Sequence, residues 1–309
     1  MMPLVAVVGP TGSGKSALAL CLAQKFAGEI VNCDSLQLYR GFDIGTAKTP
    51  FGDRRGIPHH MFDVLGPEKS YSAGEYAREA RQKIAEISAR GGLPLVVGGT
   101  GFYLRALLQG LPSLPPRDEA VRGSLLRREQ SRPGCLHRIL TRLDPGSAVR
   151  IHAHDVQKTM RALEIRLLTK RALPAPSDAN ALPGYRVIQL GLDPDRDALQ
   201  QRLEIRTRKM FEQGLVEEVR SLLVHGATGD EKPFESLGYK QALAYMRGSV
   251  TLEQAIASTI VETRQYAKRQ RTWFRRDPQI HWLHGFGEEE ELMAEAAAVV
   301  AERLKGGAF

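Results

Sequence analysis

Three cysteines in 309 residues leave little room for sulfur chemistry. Cys21, Cys33 and Cys135 are odd in number and unclustered, so they form neither a disulfide framework nor the paired spacing of a zinc site. A reducing, cytoplasmic setting is the simplest expectation. Long apolar runs are missing too: none approaches the ~20 residues that a membrane-spanning helix needs, and no membrane partner is expected. Met1-Met2-Pro3 leads at once into a buried-strand run, which leaves no room for a secretory leader. No internal repeat or low-complexity tract is found, and nothing demands more than a monomer. With 42% hydrophobic and 25% charged residues, the chain reads as globular and long enough for one sizeable α/β core plus a smaller unit.

What is present begins at the first strand. Val5-Ala6-Val7-Val8 is followed by Gly9-Pro10-Thr11-Gly12-Ser13-Gly14-Lys15-Ser16, which fits G-x-x-x-x-G-K-S/T at every fixed position. Ala17-Leu18-Ala19-Leu20 then opens a helix, so the motif has the strand–loop–helix setting it requires. The glycines let successive backbone N–H groups turn toward one anion, and the positive end of the helix adds to that field. Lys15 supplies a point charge for terminal phosphates, and the Ser16 hydroxyl is placed to bind Mg²⁺. The motif alone implies polyphosphate binding; it does not by itself make the ligand ATP.

The second strand separates the possible chemistries. Glu29-Ile30-Val31-Asn32-Cys33 ends in Asp34-Ser35-Leu36-Gln37. In an open parallel sheet, ligands sit beyond the carboxyl ends of the strands, so Asp34 is expected beside the phosphate loop. A plainer role, capping the next turn, suits the same residue type. The third strand, Leu93–Val97, ends in Gly98-Gly99-Thr100-Gly101 and carries no acid. Ordinary P-loop ATPases and GTPases hold Mg²⁺ with an Asp there, and its absence argues against simple ATP hydrolysis.

The rest of the chain divides at Pro-rich breaks. Residues 3–110 read as strand–helix units, with Ser72-Ala73-Gly74-Glu75 as a capping box opening a helix through Arg90. Leu111–Pro116 and Leu173–Gly184 bracket a helical piece with apolar residues at Leu125, Leu126, Leu136, Ile139, Leu140 and Leu143. Tyr185–Leu192 reads as a strand that rejoins the sheet, followed by long periodic stretches at Leu199–Leu223 and Leu252–Phe274 and an amphipathic helix over Glu288–Leu304. The expected architecture is a P-loop NTPase-like parallel α/β core with an inserted helical domain and a helical C-terminal region: residues 1–112, 113–183 and 184–309.

The net charge of +8 is unevenly placed. Residues 117–171 hold thirteen Lys and Arg against six Asp and Glu, a net of +7, which leaves +1 for everything else. Such asymmetry suits a polyanionic partner, although a solvated helical surface reads the same way. On Leu252–Phe274 and just beyond it, Arg264, Lys268, Arg271 and Arg275 share one helical face with no matching acids on that helix, while Ile260, Ala267 and Phe274 mark the buried face. His152 and His154 at i, i+2 lack further partners and make a poor metal site.

Three blocks then fix a resemblance: GPTGSGKS, DSLQLYRGFDIGTAKT at 34–49 and GGTGFYLRALLQGL at 98–111. Together with Arg150–Asp155, Ser236–Gln241 and Thr263–Gln270, in order from residue 3 to about 285, the chain resembles the bacterial tRNA dimethylallyltransferases. The resemblance implies transfer of a dimethylallyl group from dimethylallyl diphosphate to N6 of the adenine beside the tRNA anticodon. It implies Mg²⁺ held at Ser16, diphosphate bound by Gly9–Ser16 with Arg206 as a weaker candidate, and catalysis by Asp34 as general base with Lys15 and Thr100. Thr11 would help orient the diphosphate. Asp34, Ser35, Leu36, Gln37, Thr100, Arg122, Gln157, Lys158, Thr159, Met160, Arg161, Gly238, Tyr239 and Lys240 would meet the tRNA anticodon stem-loop. Two rivals share the loop and the metal: a small-molecule or nucleotide kinase with a lid-like insertion, and a prenyltransferase acting on free AMP.

Overall fold

The computed structural model describes residues 1–112, 114–174 and 181–306. Chain contacts define two compact units, Met1–Leu108 with Leu182–Phe309, and Gln109–Ala181. The Pro-rich breaks include Ser113 and residues 175–180, which lie outside the described residues.

The first unit is built on a parallel sheet of β1 (Met2–Val8), β2 (Gly28–Asn32), β3 (His59–His60), β4 (Leu93–Val97), β5 (Tyr185–Leu192) and β6 (His281–Leu283), in the order β3-β2-β4-β1-β5-β6. Central β1 pairs Val5 with Leu95 of β4 and with Ile188 of β5. Leu4 to Val7 are fully buried, as strands covered on both faces must be. Val5 and Val7 pack against α1 (Lys15–Lys25) and α12 (Glu290–Lys305) through Leu18, Leu22, Leu292 and Val300, while Leu4 and Ala6 fill the alternate face. Pro94 lies in a central strand, yet β4 begins pairing with β1 only at Leu95, one residue later.

α2 (Ala73–Ala89) starts on the expected capping box: Ser72 Oγ accepts from Glu75 N–H, and a Glu75 carboxylate oxygen accepts from Ser72 N–H. It packs on β2, β4 and α3 (Gly101–Leu108), where Tyr76 and Tyr103 stack with centroids 4.4 Å apart. The stretch expected as one helix over Leu199–Leu223 is two. Gly214, with φ 101°, ends the run, so α8 covers Arg196–Glu212 and α9 covers Leu215–Val224. α10 (Tyr239–Met246) and α11 (Leu252–Phe274) follow, and α11 buries Ile260, Ala267 and Phe274 as its periodicity requires. No helix among the described residues is long and apolar enough to cross a membrane.

The second unit packs α4 (Glu119–Ser131), α5 (Cys135–Leu143), α6 (Pro145–Arg150) and α7 (Val156–Thr169) around Leu125, Leu136, Leu140, Ile151, Met160 and Leu163. Leu126 and Leu143, two of the apolar residues in that helical pattern, are about 40% exposed: 43% and 41%. Leu126 adjoins Leu125, and neighbours on a helix point roughly 100° apart, so the face that buries one turns the other outward.

Candidate active site

The loop from Gly9 to Lys15 crosses the carboxyl end of β1, where a cavity of about 210 Å³ opens. Thr11, Gly12, Gly14, Lys15 and Ser16 line it from the loop and the first turn of α1, and Asp34 and Gln37 from beyond β2. Gly98 adds the end of β4, and Arg206 reaches in from α8. Gly14, at φ 89°, holds a backbone shape that side chains resist, and it directs the start of α1 at the cavity. Gly9, Pro10 and Ser13 form the inside of the loop: Ser13 is fully buried, and its N–H donates to Pro10 O at 3.3 Å.

Lys15 Nζ donates to Pro10 O at 2.7 Å. Burial pushes its ammonium down to about 8; the charge of Asp34 opposes the drop and that of Arg206 adds to it. Burial likewise lowers Arg206, with Arg202 reinforcing the effect and Asp34 and Glu288 opposing it. Two cations therefore sit close together, partly desolvated, over a loop whose backbone also favours anions. Asp34 and Glu288, which line the same cavity, offset part of that positive charge.

Asp34 does both things its sequence position suggested. One carboxylate oxygen accepts from Leu36 N–H at 2.9 Å, closing the turn after β2, while the residue forms part of the cavity wall. Its own N–H donates to Asn32 Oδ1 at 2.8 Å, and the fully buried Asn32 also donates to Met61 O at 2.9 Å, so the strand end is rigid. Thr100 braces the same turn: its Oγ1 accepts from Ser35 N–H at 3.0 Å, and its N–H donates to Cys33 O at 3.2 Å.

Three groups that the sequence reading did not assign complete this region. Gln270 on α11 accepts from Thr11 N–H at 2.7 Å and donates to Gly99 O at 2.8 Å, which ties the phosphate loop to the turn after β4. Tyr266, one turn earlier, has its phenol raised by burial and by the Asp34 charge, while hydrogen bonds with Thr100 and Gln270 pull the other way. The i, i+4 spacing of Tyr266 and Gln270 on one face was the available signal. His59 also lines the cavity, beside Phe62, Ile30 and Val97. Its Nδ1 donates to Ile57 O at 2.8 Å, and burial lowers its pKa.

The remaining residues assigned to tRNA make contacts within their own units. Tyr239 is buried, and its hydroxyl donates to Glu218 Oε1 at 2.6 Å and accepts from Gly45 N–H at 3.1 Å. It thereby fixes the Asp43–Ala47 loop, from which Thr46 and Ala47 reach the cavity. Gly238 N–H donates to Gln241 Oε1 at 2.9 Å, and Lys240 pairs with Glu262 at 2.5 Å. In the second unit, Glu164 is fully buried and takes Arg161 at 2.8 Å, Arg122 at 3.4 Å and the Asp118 N–H at 2.7 Å. Arg122 also reaches Gln157 at 3.4 Å, and Lys158 pairs with Asp155 at 2.5 Å. Thr159 and Met160 are buried, so their side chains serve the core of this unit.

The basic stripe of α11 differs from expectation. Arg264 pairs with Glu204 at 2.8 Å, and both Arg271 and Arg275 pair with Asp193. The acids absent from the helix arrive from α8 and from the end of β5, so three of the four cations are ion-paired within the protein, sharing two carboxylates.

A parallel α/β sheet with a phosphate loop, an acid past the second strand and a helical insertion defines a P-loop transferase architecture. The model of the IPP transferase family matches residues 37–277. A tRNA dimethylallyltransferase from Solibacter usitatus is 58% identical over 305 residues, covering 98% of this chain and 99% of that one. Among solved structures, a tRNA isopentenylpyrophosphate transferase from Bacillus halodurans shares 36% identity, with a TM-score of 0.75 and coverage of 99% and 98%. A eukaryotic dimethylallyltransferase acting on tRNA shares 27%, with a TM-score of 0.77 and coverage of 98% and 78%. This chain belongs to the IPP transferase family and is an enzyme of the tRNA dimethylallyltransferase class, a prenyltransferase.

Proposed function

We propose that the enzyme transfers the dimethylallyl group of dimethylallyl diphosphate to N6 of the adenine on the 3′ side of the tRNA anticodon. The observation that carries this is one cavity shared by a phosphate loop and an acid, Asp34, that no cation pairs with among the described residues. The C1–O bond of the allylic diphosphate breaks with its electron pair going to pyrophosphate. The loop N–H groups, Lys15 and Arg206 interact more strongly as that charge grows, which is what accelerates a reaction. N6 forms its bond to C1 while one of its protons passes to the Asp34 carboxylate, offsetting the poor nucleophilicity of an amine conjugated with a purine. Thr100 holds the Asp34 turn through Ser35.

No cluster of three or more His, Cys, Asp or Glu side chains suited to a metal occurs among the described residues. Mg²⁺ commonly takes few protein oxygens, with substrate phosphates and water completing its shell. Ser16, exposed and on the cavity wall, would be the protein ligand, and the ion would neutralise charge on the diphosphate. A base within a stacked loop cannot reach such a cavity, so the adenine is flipped out, with the basic second unit supplying backbone contacts.

The test is transfer of labelled dimethylallyl from its diphosphate, with Mg²⁺, to unmodified tRNA, beside tubes containing AMP and no acceptor. Label in tRNA alone is the expected result. Label in AMP, or none in either acceptor with ATP consumed in a companion assay, would overturn the proposal.

A further inference from the structure

Lys48 stands between two residues that line the cavity, Ala47 and Thr49, yet it is not part of the wall. Its side chain turns into the protein instead and is only 4% exposed. Nζ donates to Tyr39 O at 2.9 Å, to Asp43 Oδ1 at 2.5 Å and to Asp63 Oδ1 at 2.6 Å, which occupies all three of its N–H bonds. Asp43 belongs to the same loop, but Asp63 lies beyond β3, so the ammonium joins two separate segments. Both segments hold unusual backbone. Ala47, Met61 and Asp63 adopt φ of 48°, 63° and 55°, a left-handed shape that residues with a Cβ resist. Such strain persists only where the surrounding contacts impose it. Here Lys48 grips both segments, and Asn32 holds Met61 O at 2.9 Å.

What the ammonium fixes is the wall beside Asp34. Asp63 N–H donates to Gln37 O at 3.3 Å and Leu65 N–H to Leu38 O at 3.0 Å, so the Asp63 segment carries the chain just after the Asp34 turn. Gln37 then spans the loop, its Nε2 donating to Thr46 O at 3.1 Å. Asp34, Gln37, Thr46 and Ala47 all line the cavity. A buried ammonium gains little net stability from its carboxylates, since desolvation offsets the attraction, but it does select one arrangement of the chain around it. We propose that Lys48 is a positioning residue for the transfer reaction. By joining Asp43 to Asp63 it holds Gln37, Thr46 and Ala47 in register with the Asp34 carboxylate, and so shapes the part of the cavity that takes the acceptor base. It lines no part of the cavity itself and acts only through that wall. This rests on the reading of the reaction given above.

The experiment measures single-turnover transfer at saturating dimethylallyl diphosphate and tRNA on the full-length wild type, Lys48→Met and Asp63→Asn. Pyrophosphate affinity by calorimetry and stability by denaturant unfolding accompany it. Lys48→Met keeps the stem of the side chain and removes its charge. It should slow transfer by about 10- to 100-fold, as a misplaced wall does, while pyrophosphate affinity is unchanged. Asp63→Asn, which keeps the backbone N–H to Gln37 and loses one ion pair, should slow transfer less. Transfer at the wild-type rate in Lys48→Met overturns the proposal. So does a loss of transfer matched by an equal loss of pyrophosphate affinity, which is the mark of general loosening. Should Lys48→Met fail to fold, Asp63→Asn decides alone: a wild-type rate with lowered stability makes the role of Lys48 structural only. If wild type binds pyrophosphate but labels no tRNA, the reading of the reaction itself fails.

Discussion

Two aspartates stand just past the carboxyl ends of parallel strands, Asp34 after β2 and Asp193 after β5, and they keep different company. Asp193 is buried and takes two arginines from the end of α11, Arg271 and Arg275, the second at 3.0 Å. Burial acts to raise its carboxyl, but those two arginines outweigh it and hold the group below the usual carboxylate range. Asp34 accepts a backbone N–H from Leu36, forms no ion pair among the described residues and lines the cavity. Position at a strand end is common to both; what differs is that Asp193 is held in ion pairs while Asp34 forms none among the described residues.

The sharpest way to test that contrast is to replace each acid by its amide. Asp34→Asn keeps an acceptor for Leu36 N–H and removes the base. Single-turnover transfer to tRNA should fall by about 10²–10⁴ while pyrophosphate still binds; an unchanged rate would remove Asp34 as the base. Asp193→Asn should leave the chemical step nearly intact and reduce stability by about 2 kcal/mol in denaturant unfolding, since two arginines lose their counter-charge. The sign with pH follows from the lowered carboxyl: its stabilisation is present above the unfolded value near ~4 and is lost as pH falls through the folded value. The wild type should therefore lose more stability than Asp193→Asn on acidification below about pH 4.

The same contrast applies to arginines. Arg127, Arg128 and Arg132 of the second unit are exposed and have no ion pair among the described residues, whereas Arg264 and Arg271 are paired. Neutralising the first three should weaken tRNA binding and reduce its salt dependence by roughly one unit of slope per lost phosphate contact. Neutralising Arg264 and Arg271 should leave that slope unchanged and lower stability instead. The smallest effect concerns Lys15, whose ammonium is pushed down to about 8. Affinity for pyrophosphate should fall a few-fold as pH rises through about 8, and Lys15→Arg, which stays charged, should flatten the profile.

The phosphate loop was legible because its chemistry lies in eight consecutive residues, and the capping box of α2 because it spans four. Strands β1, β2, β4 and β5, with five to eight residues each, carry enough apolar sequence to be read, whereas β3 and β6 have two and three. The partners of the α11 stripe were hidden for a different reason. Its acids lie 60 residues away at Glu204 and 82 away at Asp193, counted from Arg264 and Arg275, and no inspection of one helix shows them. Gln270 meets Thr11 across 259 residues, and Glu288 had been placed on an amphipathic helix when it stands outside α12, against the loop.

That long reach has a consequence for the order in which the protein is made. The phosphate loop and Asp34 precede their supports in the chain: Glu218 holds Ile44, Tyr239 holds Gly45, and Gln270 braces the loop at Thr11. A nascent chain shorter than about 270 residues therefore carries the cradle without its supports, and β1 must wait for β5 to gain its second neighbour in the sheet. A chain that stops before Gln270 holds the loop and Asp34 but lacks the contact that braces Thr11.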